Sequence, residues 1–337
     1  MDLTNTANRV VQIHPTLRCN LRCLHCYSSS GPQESTELNP EILKAALTDA
    51  YSQGYGTASF SGGEPTLYKA LPALLGHAHD LGMLTGIVSN GMLLDEKRLK
   101  SIQGVTDILA ISLDGIPASH NRNRASERAF DAMKARLEGV RQSNILFGFL
   151  FTLTQTNLDE LDWVAHFALE QGAKLLQVHP LEHTGRAVET MLEEVPDETE
   201  MAYAFTEAFR LQAEMGNQLY IHLDIATRQA LRNDPARVFA DGIRTEQNAP
   251  LLADLISPLI IEADGTVMPI EYGLDSRFKL GNINTARLND LIPPWRRNIY
   301  PDFVRLCKSA FAEIISPNTP AFLNWYEILT RTVRVAQ

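Results

Sequence analysis

Short apolar runs alternate six times with helix-spaced apolar positions through the first two thirds of the chain, and that rhythm leaves few folds open. Runs at 10–13, 57–60, 84–88, 107–111, 145–153 and 174–178 read as strands. The spacing predicts helices over 40–51, 67–81, 94–102, 127–141, 157–171 and 198–215, the first opened by Asn39-Pro40. Strands this uniformly apolar are expected to be covered on both faces, as parallel sheets are. Six βα units in a row then give a parallel sheet clothed in helices. Every polar or glycine-rich motif falls at the C-terminal end of a strand. Barrels and open sheets both gather their sites there, so spacing alone does not separate the two.

Beyond 217 the rhythm changes. A strand over 219–223, a short helix over 226–231 and a hairpin over 259–270, turning at Asp264-Gly265, are predicted. A tail holding Trp295, Tyr300, Phe303, Phe311, Trp325 and Tyr326 reads as packed helices. We therefore divide the chain into a βα domain over 1–216 and a smaller α+β domain over 217–337.

The first strand runs into Cys19-Asn20-Leu21-Arg22-Cys23-Leu24-His25-Cys26-Tyr27, with three thiols in eight positions, spaced CxxxCxxC. Thiols so close in sequence can turn toward one soft metal centre. A structural zinc site wants a fourth ligand, which His25 or a distant residue would have to supply. Three thiolates with a vacancy suit an iron–sulfur cluster with one iron left open.

CxxxCxxC after the first strand resembles the radical S-adenosylmethionine (SAM) enzymes. The resemblance implies a (β/α)6 partial TIM barrel in which Cys19, Cys23 and Cys26 hold one [4Fe–4S] cluster. It also implies that SAM chelates the fourth iron and is cleaved by a cluster electron to a 5′-deoxyadenosyl radical. Gly62-Gly63-Glu64-Pro65, ending the second strand, is similar to the family's GGE segment, which holds the SAM amino group. Ser89-Asn90-Gly91 and Ser112-Leu113-Asp114-Gly115 end the third and fourth strands and resemble segments that bind the SAM ribose and carboxylate. Arg124 falls on the arginine of an HDxxR segment, with a carboxylate partner expected, although Asn121 stands where aspartate is usual. His179, opening the segment through Arg186 after the sixth strand, matches the region near the adenine; neither it nor His183 is assigned a catalytic role.

The hairpin and the residues after it look like a SPASM or twitch domain, the addition that many radical SAM maturases carry. Such domains place a cysteine where this chain has Ile270, and Cys307 alone cannot hold a second cluster. The expectation is a SPASM-like scaffold without cluster ligands, Ile270 serving in packing. Cys307 is then either a buried inert thiol or a hydrogen-atom donor to a substrate radical.

Composition narrows the partners. A net charge of −10 over 337 residues argues against a protein built to grip nucleic acid. No apolar run is long enough to span a bilayer, and the N-terminal residues lack a signal-peptide pattern. Four cysteines, three of them clustered, are no disulfide framework, so a reducing cytoplasm is expected. A flavodoxin- or ferredoxin-type electron donor is implied by the resemblance. So is hydrogen abstraction from a peptide or a small sugar- or amino-acid-like natural-product precursor. With few residues before the first strand, a separate leader-peptide-binding domain is not expected there. The missing auxiliary cluster tilts the expected outcome toward epimerisation, rearrangement, lyase chemistry or coupling. Dehydrogenation or epimerisation of a carbohydrate-type metabolite is the alternative reaction. A non-catalytic zinc or iron–sulfur binding module is the alternative class.

Overall fold

In a computed structural model, which describes residues 9–235 and 251–335, ten of the strands join into one sheet. β1 (Val10–Ile13), β2 (Thr57–Phe60), β3 (Leu84–Ser89), β4 (Ile108–Ser112), β5 (Leu146–Leu153) and β6 (Leu175–Pro180) lie in chain order, each parallel to the next. Helices including Pro40–Ser52, Leu71–Asp80, Glu96–Ile102 and Leu161–Glu170 return the chain between them. Parallel pairing in chain order brings all six C-terminal strand ends to one rim, and the sequence motifs come with them.

Strand burial departs from the sequence expectation. β1, β2, β3 and β6 each alternate fully buried residues with half-exposed ones. One face, with Val11, Ile13, Ala58, Phe60 and Ile87, shares a core with helix residues such as Leu43, Leu47, Leu74 and Leu75. The other carries Gln12, Ser59, Gly86, Ala110 and Gln177, all only partly buried. A sheet curled into an incomplete barrel has helices on its outside only. Its inner face lines a hollow, so uniform burial is not achieved there.

The sheet also runs on past residue 216. β7 (Tyr220–Leu223) pairs in parallel with β6, and two-residue β8 (Ala226–Thr227) pairs with β12 (Phe322–Leu323) in a separate ribbon. β9 (Leu259–Ile261) pairs in parallel with β1 on the other side; β10 (Thr266–Pro269) and β11 (Gly281–Asn282) follow antiparallel. The last third of the chain therefore supplies both edges of the sheet, while helices Leu288–Asn298, Tyr300–Ile314 and Trp325–Val335 form the tail. Two local expectations change as well. The helix expected over 127–141 divides into Ala129–Lys134 and Leu137–Gln142, because the Arg136 amide bonds three residues back, to Met133. The charged stretch after β4 forms a short helix, Pro117–Asn123, and leads to a buried Arg124.

A polar clasp fastens the tail to the barrel. Asp49, buried on the first helix, receives Arg287 Nη2 at 2.6 Å and Nε at 3.0 Å, and Asn289 Nδ2 at 3.1 Å. Arg287 remains half exposed, so solvent screens part of this attraction. Asp49→Asn should lower unfolding stability by about 1–2 kcal/mol, measured by urea denaturation, through loss of charge-assisted bonds. An unchanged midpoint would show that the tail is held by its apolar contacts alone.

Candidate active site at the strand rim

The cysteine loop leaves β1 and folds back over the rim. Its turns are held by main-chain bonds from Cys19 N to Gly31 O and from Gly31 N to Leu17 O, and from Leu24 N to Asn123 O. Against it lie the two glycines ending β2. Gly63 donates to Thr16 O, and a Cβ there would meet Arg18 O at 2.3 Å. Gly62, at φ 99°, would push a Cβ to 2.8 Å from His14 Cβ. What approaches these glycines closely is the stretch from His14 to Arg18 that leads into the cysteine loop, a packing reason for Gly-Gly that needs no ligand.

Glu64 ties the ends of β2 and β3 together. Its buried carboxylate accepts from Thr66 Oγ1 (2.7 Å) and Ser89 Oγ (2.9 Å) on Oε1, and from Asn90 N (2.9 Å) on Oε2. Burial raises its pKa against the pull of these donors. A ligand ammonium would therefore join a carboxylate already occupied by protein donors. Asn90 continues the chain of contacts, its Nδ2 donating to Asn20 Oδ1 at 2.8 Å and to Cys19 Sγ at 3.9 Å.

A second network lies under Cys23. Arg124 meets Asp114 through Nε (2.6 Å) and Nη2 (3.0 Å), and its Nη1 donates to Cys23 Sγ at 3.8 Å. Asp114 is thus the carboxylate partner expected for Arg124. Burial alone would raise the Asp114 carboxyl, but Arg124 and then His25 outweigh it and hold it well below the usual carboxylate range. His25 Nε2 lies 3.0 Å from Asp114 Oδ2, so this ring serves the carboxylate and not a metal beside the thiols. His120 Nδ1 accepts the Asp114 amide at 3.1 Å, and burial lowers its pKa to about 4, leaving it neutral. Asn121, where the family pattern has aspartate, donates to Glu127 O and accepts from Phe130 N, bracing the start of the next helix. Ser112, buried at the end of β4, lies two residues before this network.

The thiols carry the chemistry of a ligand set. Burial pushes Cys19 up to about 12 and Cys23 upward, with Arg124 opposing the rise at Cys23. Buried thiols of this kind become thiolates only when a metal centre offsets the cost. Cys26 Sγ has Ser28 Oγ at 3.5 Å, so each sulfur has a nearby hydrogen-bond donor, a contact that tunes clusters. Among the described residues, no three His, Cys, Asp or Glu side chains converge on a position for a single ion. What speaks for a soft iron–sulfur centre is the donor set itself, three thiols within eight positions, each with a hydrogen-bond donor close by.

Beside Cys26, Tyr27 OH bonds to Ser61 Oγ (2.9 Å) and His14 Nε2 (3.2 Å). Tyr272 packs on both, its ring 4.9 Å from His14 and 5.4 Å edge-on from Tyr27. It arrives there from the chain leaving β10, which bends at Ile270, 4% exposed and at φ 66°, a conformation unusual for a β-branched residue. Sequence reasoning missed Tyr272, and it offered His25 only as a fourth zinc ligand, whereas the ring faces Asp114. His25 sits inside the cysteine motif, a signal that was available; nothing in the sequence placed Tyr272 on the rim. His179 lies on the far side, between Asp224 (3.2 Å) and Glu182 (3.6 Å). These carboxylates overcome the effect of burial and raise its pKa to about 9. Cys307 lies on the buried side of Tyr300–Ile314 with Phe303, Leu306 and Ala310.

Asp114→Asn leaves the buried Arg124 charge without its counterion. Such a loss costs about 3–5 kcal/mol, which chemical denaturation of the purified variant should show. A loss under 1 kcal/mol would mean that the pair is not what holds the loop at Cys23.

Comparison with known proteins agrees with this geometry. Residues 13–168 match the Radical SAM superfamily. Fe-coproporphyrin III synthase of Methanosarcina barkeri is 33% identical over 188 residues, covering 55% of this chain and 47% of that protein. The sporulation killing factor maturation protein SkfB of Bacillus subtilis is 26% identical over 175 residues, 52% of this chain and 43% of that protein. The chain thus spans about half the length of the curated relatives it matches. The structure of anSMEcpe with bound AdoMet and Kp18Cys peptide superposes with a TM-score of 0.65 at 18% identity, over 97% of this chain and 98% of that one, a likeness of fold. The match over residues 13–168 is to a superfamily whose cofactors are a [4Fe–4S] cluster and SAM.

Proposed function

We propose that the protein is a radical SAM enzyme acting on a peptide or small-molecule natural-product precursor. The observation that carries this reading is the convergence of the Cys19–Cys26 loop with the ends of β2, β3 and β4 through Glu64, Asn90 and Arg124. Cys19, Cys23 and Cys26 are the cluster ligands in this reading. Gly62, Gly63, Glu64, Ser89, Asn90, Ser112, Asp114, Arg124 and His179 shape the SAM site around them. A cluster bound there would supply the one-electron chemistry that cleaves SAM and lets a hydrogen atom be taken from the substrate.

The chain's own residues do the rest. Arg124 places a buried cation beside Cys23, which favours thiolate over thiol there. Glu64 fixes the tips of β2 and β3 relative to one another, and Tyr27, His14 and Tyr272 wall the loop beside Cys26. Enclosure of this kind keeps water and stray hydrogen donors from a reactive centre. A peptide substrate is supported by SkfB, a maturation protein, and by the peptide bound to anSMEcpe. The barrel domain over 1–216 and the SPASM-like region over 217–337 remain our division of labour, the second enclosing the substrate. A flavodoxin or ferredoxin in the cytoplasm would supply the electron. Among the described residues no helix is long and apolar enough to cross a membrane.

Reconstituted without oxygen, the protein should turn brown and hold about four irons per chain. With dithionite and SAM it should release 5′-deoxyadenosine, and Cys23→Ala should abolish both. A colourless protein that binds zinc and leaves SAM intact would favour a binding module. Cys307 as hydrogen-atom donor belongs to the same proposal. Cys307→Ala should then lose solvent deuterium from the product, whereas unchanged product and label would leave this thiol a packing residue.

A further inference from the structure

The segment after β6 carries a residue that the functions above leave unused. Arg186 is 7% exposed, and its guanidinium donates to three main-chain carbonyls of the cysteine loop. Nη1 reaches Cys23 O at 2.5 Å, while Nη2 reaches Ser29 O at 2.9 Å and Ser30 O at 2.7 Å. Its own amide donates to Cys26 O at 2.9 Å. Gly185 lets this happen: at φ 57°, a Cβ there would stand 2.1 Å from Tyr27 O and 2.4 Å from Cys26 O. Backbone and side chain of 185–186 therefore press on the back of the loop that carries two of the three thiols.

The loop needs such a partner. Residues 23–30 form turns and no regular ladder, with long main-chain bonds from Cys26 N to Cys23 O (3.4 Å) and from Ser29 N to Cys26 O (3.2 Å), so outside donors must help to fix their carbonyls. One planar fork joins Cys23 to Ser29 and Ser30, closing the loop across six residues. A lysine ammonium has its donors at one point and cannot span the same carbonyls. The guanidinium also brings a buried positive charge whose three partners here are neutral carbonyls. Such a charge stabilises the more negative, reduced form of a nearby cluster. On its other side Arg186 helps line a cavity of about 270 Å³ with Arg22, Gly31, Glu34 and Glu189. The same side chain thus stands against solvent and against the loop.

We infer that Arg186 is a positioning residue for the iron–sulfur site: it clamps residues 23–30 from behind, and its charge raises the cluster's reduction potential. This rests on the cluster reading above. The test compares wild type, Arg186→Gln and Arg186→Lys after anaerobic reconstitution. Cluster bleaching on admission of air and the midpoint potential are measured, with thermal unfolding of the unreconstituted chains alongside. Arg186→Gln should bleach about tenfold faster, the scale of a lost outer-shell contact, and should have a lower midpoint. Arg186→Lys should bleach faster yet keep a midpoint near wild type, since it retains the charge without the fork. Wild-type bleaching and midpoint in Arg186→Gln overturn the inference. If that variant does not fold, wild-type bleaching in Arg186→Lys overturns it instead. A wild-type chain that takes up no iron removes the cluster reading, and this inference with it. Iron uptake with no difference among the variants removes only the role of Arg186.

Discussion

Everything at the rim leans on one ion pair, Arg124 with Asp114, sealed from water beneath Cys23. Burying two charges is not by itself a source of stability, because the lost hydration offsets much of the attraction. What the pair provides is placement. Asp114 is fixed by β4, so Arg124 is fixed with it, and the third contact of the guanidinium falls on a cysteine sulfur. His25 closes the circle by returning from the cysteine loop to the same carboxylate. A loop without regular structure thereby acquires a single shape, and the charge beneath it favours an anionic ligand set above.

Glu64 repeats the arrangement on the other side. Its carboxylate joins the tips of β2 and β3, and Asn90 carries the connection to Cys19. The two carboxylates therefore flank the thiols from the ends of β2 and β4, with β3 between them. Parallel strands make this possible, since only they present successive C-terminal ends along one edge. The fold and the site are in this sense one argument: the hollow barrel leaves a rim, and the rim gathers the loops.

Much of this was legible in the residues. Alternating strand and helix signals gave the parallel sheet, and motif positions gave the rim. The cysteine spacing pointed to the ligand set that we propose, and all three cysteines lie inside the Radical SAM match over residues 13–168. What could not be read was tertiary. β7 and β9 have four and three residues, too short for any period to show that they extend the barrel sheet at opposite sides. Gly62 and Gly63 looked like room for a ligand, yet their neighbours are His14, Thr16 and Arg18 of the same chain. Tyr272 reaches His14 and Tyr27 only because the hairpin pairs with β1, a contact spanning more than 240 positions. Half-exposed inner strand faces were likewise hidden, since small and apolar residues line a hollow as readily as a packed layer.

The central claim is that Cys19, Cys23 and Cys26 hold a cluster whose remaining iron is open to SAM. The most direct measurement is electron–nuclear double resonance on the reduced, reconstituted protein with SAM labelled by ¹⁷O in its carboxylate and ¹⁵N in its amino group. Coupling of both labels to the cluster spin is the predicted result. A reduced cluster whose spectrum ignores both labels would place SAM away from the iron and contradict the account.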